Sequence, residues 1–337
     1  MKNNFNEKRR ILYEQKLNNH PKKVSTSKNI NNFNKMNLLP KGMTKEIIED
    51  NDTITFKVSK NPTDNYIYEK KNKTFTLHRW AGIGSNCSVI IYFLIELKAY
   101  YNIVPENIST KLYLYKNYNL YDNILYINKE QINNFKKIDN KYLLSFLEKN
   151  QLGCWGIGSD KNNLDFNLIR VILKSYFNFT DSVKNRANKI IKKYNINLNN
   201  SNFIYWRRTD HPYELAYCGL KYPELSEAIE ILKDNKNNTI AQTDDQEIFL
   251  ELKKQKNIKV LEELPLCANA DGGQHHEFLK ETNTHDEKYH VLTIMAIIYI
   301  ASKVDTFVGY PGNLSWMISN LRKFKKTYFI KTINSIF

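Results

Sequence analysis

From about residue 200 onward, short apolar runs alternate with longer helical ones, and this alternation constrains the fold more than any other feature. Asn202–Arg207, Asn238–Gln242, Asn257–Leu261 and Thr306–Gly309 are rich in β-formers. Helices are predicted at Tyr222–Lys233, Asp245–Lys254, His290–Ala301 and Leu314–Leu321. Strands separated by helix-length crossovers run parallel, and a parallel sheet needs cover on both faces. Two further predicted helices, Asp165–Phe177 and Ser182–Tyr194, lead into this region. In such sheets the working groups sit just beyond the carboxyl ends of the strands. Three ends stand out: Arg207-Arg208-Thr209-Asp210, Thr243-Asp244-Asp245, and Gly309-Tyr310-Pro311-Gly312-Asn313.

The first half is less regular. Thr53–Val58, Tyr66–Tyr68 and Lys73–His78 read as strands, followed by a loop at Trp80–Cys87. Ser88–Tyr101 is a helix apolar on nearly every side, which belongs inside a sheet-and-helix sandwich. Residues 103–150 give strands at Lys111–Tyr115 and Ile124–Ile127 and a helix at Asp139–Lys149. The chain is therefore expected to be α/β, and its 337 residues suffice for two domains.

The net charge of +15 would suit a nucleic-acid-binding protein, a reading of a different class. Residues 1–45 hold eleven basic groups and two acids, a local +9, leaving +6 for the rest. That core shows no basic stripe interleaved with aromatics. Asn (45) and Lys (42) are abundant while Arg (8) is scarce, the skew of AT-rich coding, so adjacent arginines say more than many lysines. Residues 1–40 read as a basic, disordered tail with one short helix at Lys8–Asn18, available to an acidic surface such as a membrane. No apolar run approaches the roughly 20 residues of a membrane span, and no secretory leader is visible. Cys87, Cys154, Cys218 and Cys267 are widely spaced with no CxxC pair. A soluble cytoplasmic protein with reduced thiols is expected, in a host cytoplasm if the chain is viral.

Arg207-Arg208 offers planar, permanently charged forks suited to a diphosphate. Strand alternation sends Tyr205 and Arg207 to one face, so one arginine meets a ligand while the other braces a carboxylate. The alternative is a pair of salt bridges to Asp210, Asp244 or Asp245. Asp244-Asp245 equally suits the cap of the following helix. Gly309–Asn313 can present backbone N–H groups at the start of the Leu314 helix, a place that holds anions. His275-His276-Glu277, with His285 and His290, lacks the spacing of a zinc site.

In order and spacing these residues resemble the α1,6-fucosyltransferase and O-fucosyltransferase superfamily. Tyr205-Trp-Arg207-Arg208-Thr-Asp210, Gln242-Thr-Asp244-Asp245, and Ala301-Ser-Lys-Val-Asp-Thr-Phe-Val-Gly309 with its turn carry the likeness, and Trp80-Ala-Gly82-Ile-Gly84 resembles the superfamily's glycine loop. The resemblance spans roughly residues 75–325. It implies a GT-B fold, two Rossmann-like domains facing each other across a cleft, at 41–180 and 181–325, with 326–337 as an extension. It further implies metal-independent, inverting transfer of a sugar from a nucleotide-diphosphate donor, GDP-fucose favoured, to a glycan hydroxyl, with no resident cofactor and no nucleic-acid partner. Arg207 would hold the β-phosphate and Asp210 would organise the strand end. Tyr205, Arg208, Asp244, Asp245, Gly309, Tyr310, Gly312, Asn313, Gly82 and Gly84 would line the donor side. Glu214 is the candidate base, and Cys267–Lys288 reads as a loop bordering the acceptor cleft. Three positions depart from the pattern: Tyr205 replaces a histidine, Ile297 an aspartate that reads guanine, and Gly312-Asn313 stands where a serine is common in the final turn. Another nucleotide sugar, or a non-catalytic binder with the same fold, is the alternative.

Overall fold

The computed structural model describes residues 45–58, 64–79, 81–115, 117–149, 152–153, 156–157, 166–207, 224–233, 235, 237–266, 287–309, 312–322 and 326–330. The expected tail, Arg208, Asp210, Glu214, Tyr310 and the loop at 267–286 lie outside these residues. Leu38–Phe337 forms one compact unit.

The first sheet runs in chain order, β1 (Lys45–Glu49), β2 (Thr53–Val58), β3 (Asn65–Glu69), β4 (Thr74–Arg79) and β5 (Asn107–Leu112). Its first four strands form an antiparallel meander. β4 and β5 pair in parallel across the helix α1 (Ile83–Tyr101), a single β–α–β unit. Ile54, Phe56, Tyr66, Phe75 and Leu77 alternate onto the covered face. Phe93 of α1 stacks on Tyr66 at 4.2 Å between ring centroids and lies 5.1 Å from Phe56. α1 is buried almost throughout, as its all-round apolarity predicts. It stops at Asn102, whose left-handed backbone (φ 54°) lets its N–H close on the Leu97 and Lys98 carbonyls.

α2 (Lys129–Lys136), α3 (Asn140–Lys149) and α4 (Phe166–Tyr176) follow, α3 against α1 and α4 against α2. α5 (Asp181–Tyr194) then packs on α8 (Glu287–Lys303). The second sheet is wholly parallel: β6 (Ser201–Trp206), β7 (Asn238–Thr243), β8 (Ile258–Val260), β9 (Thr306–Gly309) and β10 (Thr327–Phe329) stand in the order β8-β7-β6-β9-β10. α6 (Leu225–Ile231) and α7 (Gln246–Lys253) cover one face, with Ile204, Trp206, Ala241 and Val308 beneath them. Phe203, Ile240 and Phe307 point the other way, into a core continuous with that of α1, α4 and α8. α9 (Asn313–Leu321) packs on both α1 and α8 and joins the two halves.

The α/β class and the parallel second sheet agree with the sequence. Several elements do not. The loop expected at Trp80–Cys87 is mostly helix, since α1 begins at Ile83. The strand expected at Lys111–Tyr115 is the end of β5 plus a 3-10 turn at Tyr113–Tyr115, and that at Ile124–Ile127 shrinks to Leu125–Tyr126. β1 and α2 were not expected, and residues 327–329, expected within an extension, supply the fifth strand of the second sheet. No helix among the described residues is long and apolar enough to cross a membrane.

Candidate functional site

The three strand ends singled out by sequence belong to three adjacent strands, with β6 between β7 and β9. The register sets Tyr205 level with Gln242 on one side and Gly309 on the other. Parallel partners share a face, so Phe203, Tyr205 and Arg207 line up with Ile240, Gln242 and Asp244 on the side of the sheet that looks toward α1.

Arg207 emerges there with its Nε 3.7 Å from Asp244 Oδ2. Its side chain is 29% exposed while that of Asp244 is 6% exposed, so a buried carboxylate braces a guanidinium that still reaches solvent. Asp245 has the plainer role anticipated for it: its Oδ1 accepts the Ile248 N–H at 2.9 Å and caps α7. Gln242, one level below, is 1% exposed. Its Nε2 donates to the Thr243 carbonyl at 2.6 Å, while its Oε1 has no partner among the described residues.

On the β9 side, α9 starts from Gly312 in extended conformation with no side-chain cap. Its first-turn N–H groups therefore lack a capping side chain, and a helix start of that kind favours negative charge. Ser315 in this first turn is fully buried, with no partner for its Oγ among the described residues. A Cβ at Gly309 would fall 2.9 Å from that Oγ and from the Phe307 ring, so glycine is required there to let α9 close on the strand end.

α1 arrives at the same place from the first half. A Cβ at Gly84 would lie 2.8 Å from Leu314 Cγ and 3.1 Å from the Leu314 backbone nitrogen. Ser88 Oγ is 3.1 Å from both the Gly84 carbonyl and Asn313 Oδ1. Gly84 and Asn313, both predicted to line the donor side, thus flank one helix–helix contact, bridged by Ser88. Gly82, the N-cap of α1, has open space where a Cβ would stand.

Two residues that sequence reasoning missed stand beside the start of α1. Tyr115 is 3% exposed, and its ring stacks on His290 of α8 at 6.2 Å and 26°. Burial pushes its phenol up to about 12, against the pull of the nearby Arg207 charge and of the Ile83 backbone N–H that it accepts. Arg79 ends β4 just before the glycine segment, donating to Ser85 Oγ at 2.8 Å and lying 3.5 Å from Asp64. Scarcity of arginine was a usable signal for Arg79; among 22 tyrosines, nothing marked Tyr115. Ile297 is 2% exposed in the core.

The described edge thus gathers a braced arginine, a glycine-started helix N-terminus and buried polar groups, an arrangement suited to holding an anion. No family model matches the sequence, and no match is found among curated proteins. Among solved structures, the chain is similar to the NodZ alpha-1,6-fucosyltransferase co-crystallized with GDP, at 9% identity over 74% of this chain and 91% of that one, with a TM-score of 0.43. It is also similar to a mutant of Arabidopsis thaliana FUT1 in complex with GDP, at 10% identity over 86% of this chain and 52% of that one, with a TM-score of 0.34.

Proposed function

We propose that the chain is a GT-B-type glycosyltransferase, with a first domain at 41–180 on the acceptor side and a second at 181–325 that binds a nucleotide-diphosphate sugar. The observation that carries this reading is the adjacency of three strand ends: Arg207 with Asp244, beside a glycine-started α9 at the end of β9. The sequence resemblance to fucosyltransferases supports GDP-fucose as the first donor to test. Ile297, buried in the core, leaves guanine without that contact.

In this reading an acceptor hydroxyl of a glycan attacks the anomeric carbon as the bond to the β-phosphate oxygen breaks. The proton passes to Glu214, and the configuration inverts. Charge accumulating on the departing diphosphate meets Arg207, Arg208 and the first N–H groups of α9, without a metal ion. Asp244 keeps the Arg207 fork in place. Asp210 orders the strand end, and Tyr205, half-buried beneath Arg207, meets the nucleoside. The enzyme works in the cytoplasm, where the basic tail can touch an anionic membrane surface.

Sugar release from GDP-fucose, UDP-glucose, CDP-sugar and dTDP-sugar donors tests the assignment. One donor should be turned over, with slow hydrolysis in the absence of acceptor. Absence of turnover for every donor, with nucleotide still bound, would leave a binder.

A further inference from the structure

We propose that a cavity between α4, α8 and the end of α9, separate from the edge that carries Arg207, is a binding site for a small carboxylate with an apolar body about the size of one benzene ring.

The cavity has a volume of about 150 Å³. Leu173, Phe177 and Phe179 form its buried floor, and Tyr299 and the exposed Lys174 and Lys303 stand at its rim. Phe179 meets the Tyr299 ring edge-on, with 5.7 Å between centroids and 85° between planes. A space of this size with an apolar lining holds one six-membered ring, and burying that ring against the floor removes apolar surface from water. α9 starts at the edge that carries Arg207 and ends at Leu321, which lines the cavity, while α8 ends here before the chain enters β9. The cavity therefore lies toward the amino-terminal ends of the second sheet's strands, and nothing in it depends on the proposed donor chemistry.

Its charge is one-sided. Two lysines line it and no acidic side chain does, and neither Lys174 nor Lys303 forms an ion pair among the described residues. Lys303 Nζ stands 5.6 Å from the Tyr299 ring centroid. Lysines in the last turn of a helix ordinarily offset its negative end. Here other groups take that part. Arg322 donates Nη1 to the Ala301 and Val304 carbonyls at 2.9 and 2.6 Å, and Asn178 donates Nδ2 to the Lys174 carbonyl at 2.8 Å. Two ammonium groups are thus left beside an aromatic wall, a pairing that suits an anionic head on a ring-sized apolar body. A carboxylate carries one charge and costs less to bring against these rings than a doubly charged phosphate.

Melting temperatures of the full chain with benzoate, benzamide, acetate and inorganic phosphate, each at about 10 mM and constant ionic strength, test this. Benzoate should bind with a Kd of about 1 mM and raise the melting temperature by about two degrees. Benzamide, which has the ring without the charge, should bind at least tenfold more weakly, and acetate and phosphate, which have charge without a ring, should give no shift. The double variant Lys174→Gln/Lys303→Gln should lose benzoate affinity at least tenfold, and Lys189→Gln, at an exposed lysine of α5, should keep it. No shift with benzoate, an equal shift with benzamide, acetate or phosphate, or a benzoate shift undiminished in the double variant would overturn the proposal. Both lysines are exposed, so the double variant should melt with the parent; should it not, the comparison of benzoate with benzamide in the parent decides by itself.

Discussion

Gly84 of α1 and Leu314 of α9 approach so closely that a Cβ on the glycine would lie 2.8 Å from Leu314 Cγ and 3.1 Å from its backbone nitrogen. This contact between two helix N-termini brings the glycine segment of the first half against the strand ends of the second. Gly84→Ala should therefore push the helices apart and cost about 1–3 kcal/mol, the usual penalty of overpacking. Gly82, two residues earlier, faces open space, and Gly82→Ser should cost nothing or add a few tenths of a kcal/mol through a side-chain cap. Urea denaturation of the two variants separates them, and similar losses in both would contradict the packing role given to Gly84.

The bracing of Arg207 by Asp244 predicts an asymmetry between stability and activity. Arg207→Ala leaves a buried carboxylate without its brace and should lower both, with turnover falling about 100-fold or more. Adding Asp244→Asn should restore most of the stability and none of the turnover. Recovery of turnover in the double variant would mean that the arginine is structural.

Much of this edge was legible before the fold was known. Strands such as Asn202–Arg207 and Thr306–Gly309 carry a period and an apolar density that no helix shares, and their ends could be read as a set. Lys45–Glu49 has no such signature: five residues with two central isoleucines between charged neighbours fit a helix start as well as an edge strand. Gly84 looked like a loop residue because glycine marks turns, yet it is a helical glycine kept for close packing. A lone serine inside a predicted helix carries no signal of its own, and only the packing of α9 on the end of β9 buries Ser315. Tyr115 owes its place to a contact between segments 175 residues apart in sequence, its stacking on His290, which no local pattern encodes.

Acid should act through Glu263. Burial pushes its carboxyl up, but hydrogen bonds from Lys193 and Arg186 prevail and hold it below the ordinary value of 4.5. A carboxylate depressed in the folded state contributes stability above its unfolded pKa and loses it as pH falls through the folded value. Stability should therefore decline below about pH 4.5. Glu263→Gln should flatten that decline and cost about 3 kcal/mol at neutral pH, since Arg186, itself only 11% exposed, keeps its bond to Thr293 but loses its carboxylate. Denaturation curves from pH 3 to 7 would show this, and an unchanged acid limb in the variant would contradict it.

Cys87 should be chemically silent in the folded protein. Its thiol is 1% exposed, and burial pushes it up to about 12. In a variant with Cys154, Cys218 and Cys267 replaced by serine, a thiol reagent at about pH 8 should react only as fast as the chain unfolds. Rapid labelling under native conditions would contradict the packing of α1.

The central claim is that the edge formed by β6, β7 and β9 grips a nucleoside diphosphate through Arg207. Melting temperatures of the parent and of Arg207→Ala, each with GDP, UDP, CDP and dTDP at about 100 times a micromolar affinity, test it most directly, since such saturation adds about 2.7 kcal/mol to the folded state. One nucleotide should raise the parent's melting temperature by several degrees and leave that of Arg207→Ala unmoved. No shift with any nucleotide, or a shift that survives the loss of Arg207, would contradict it.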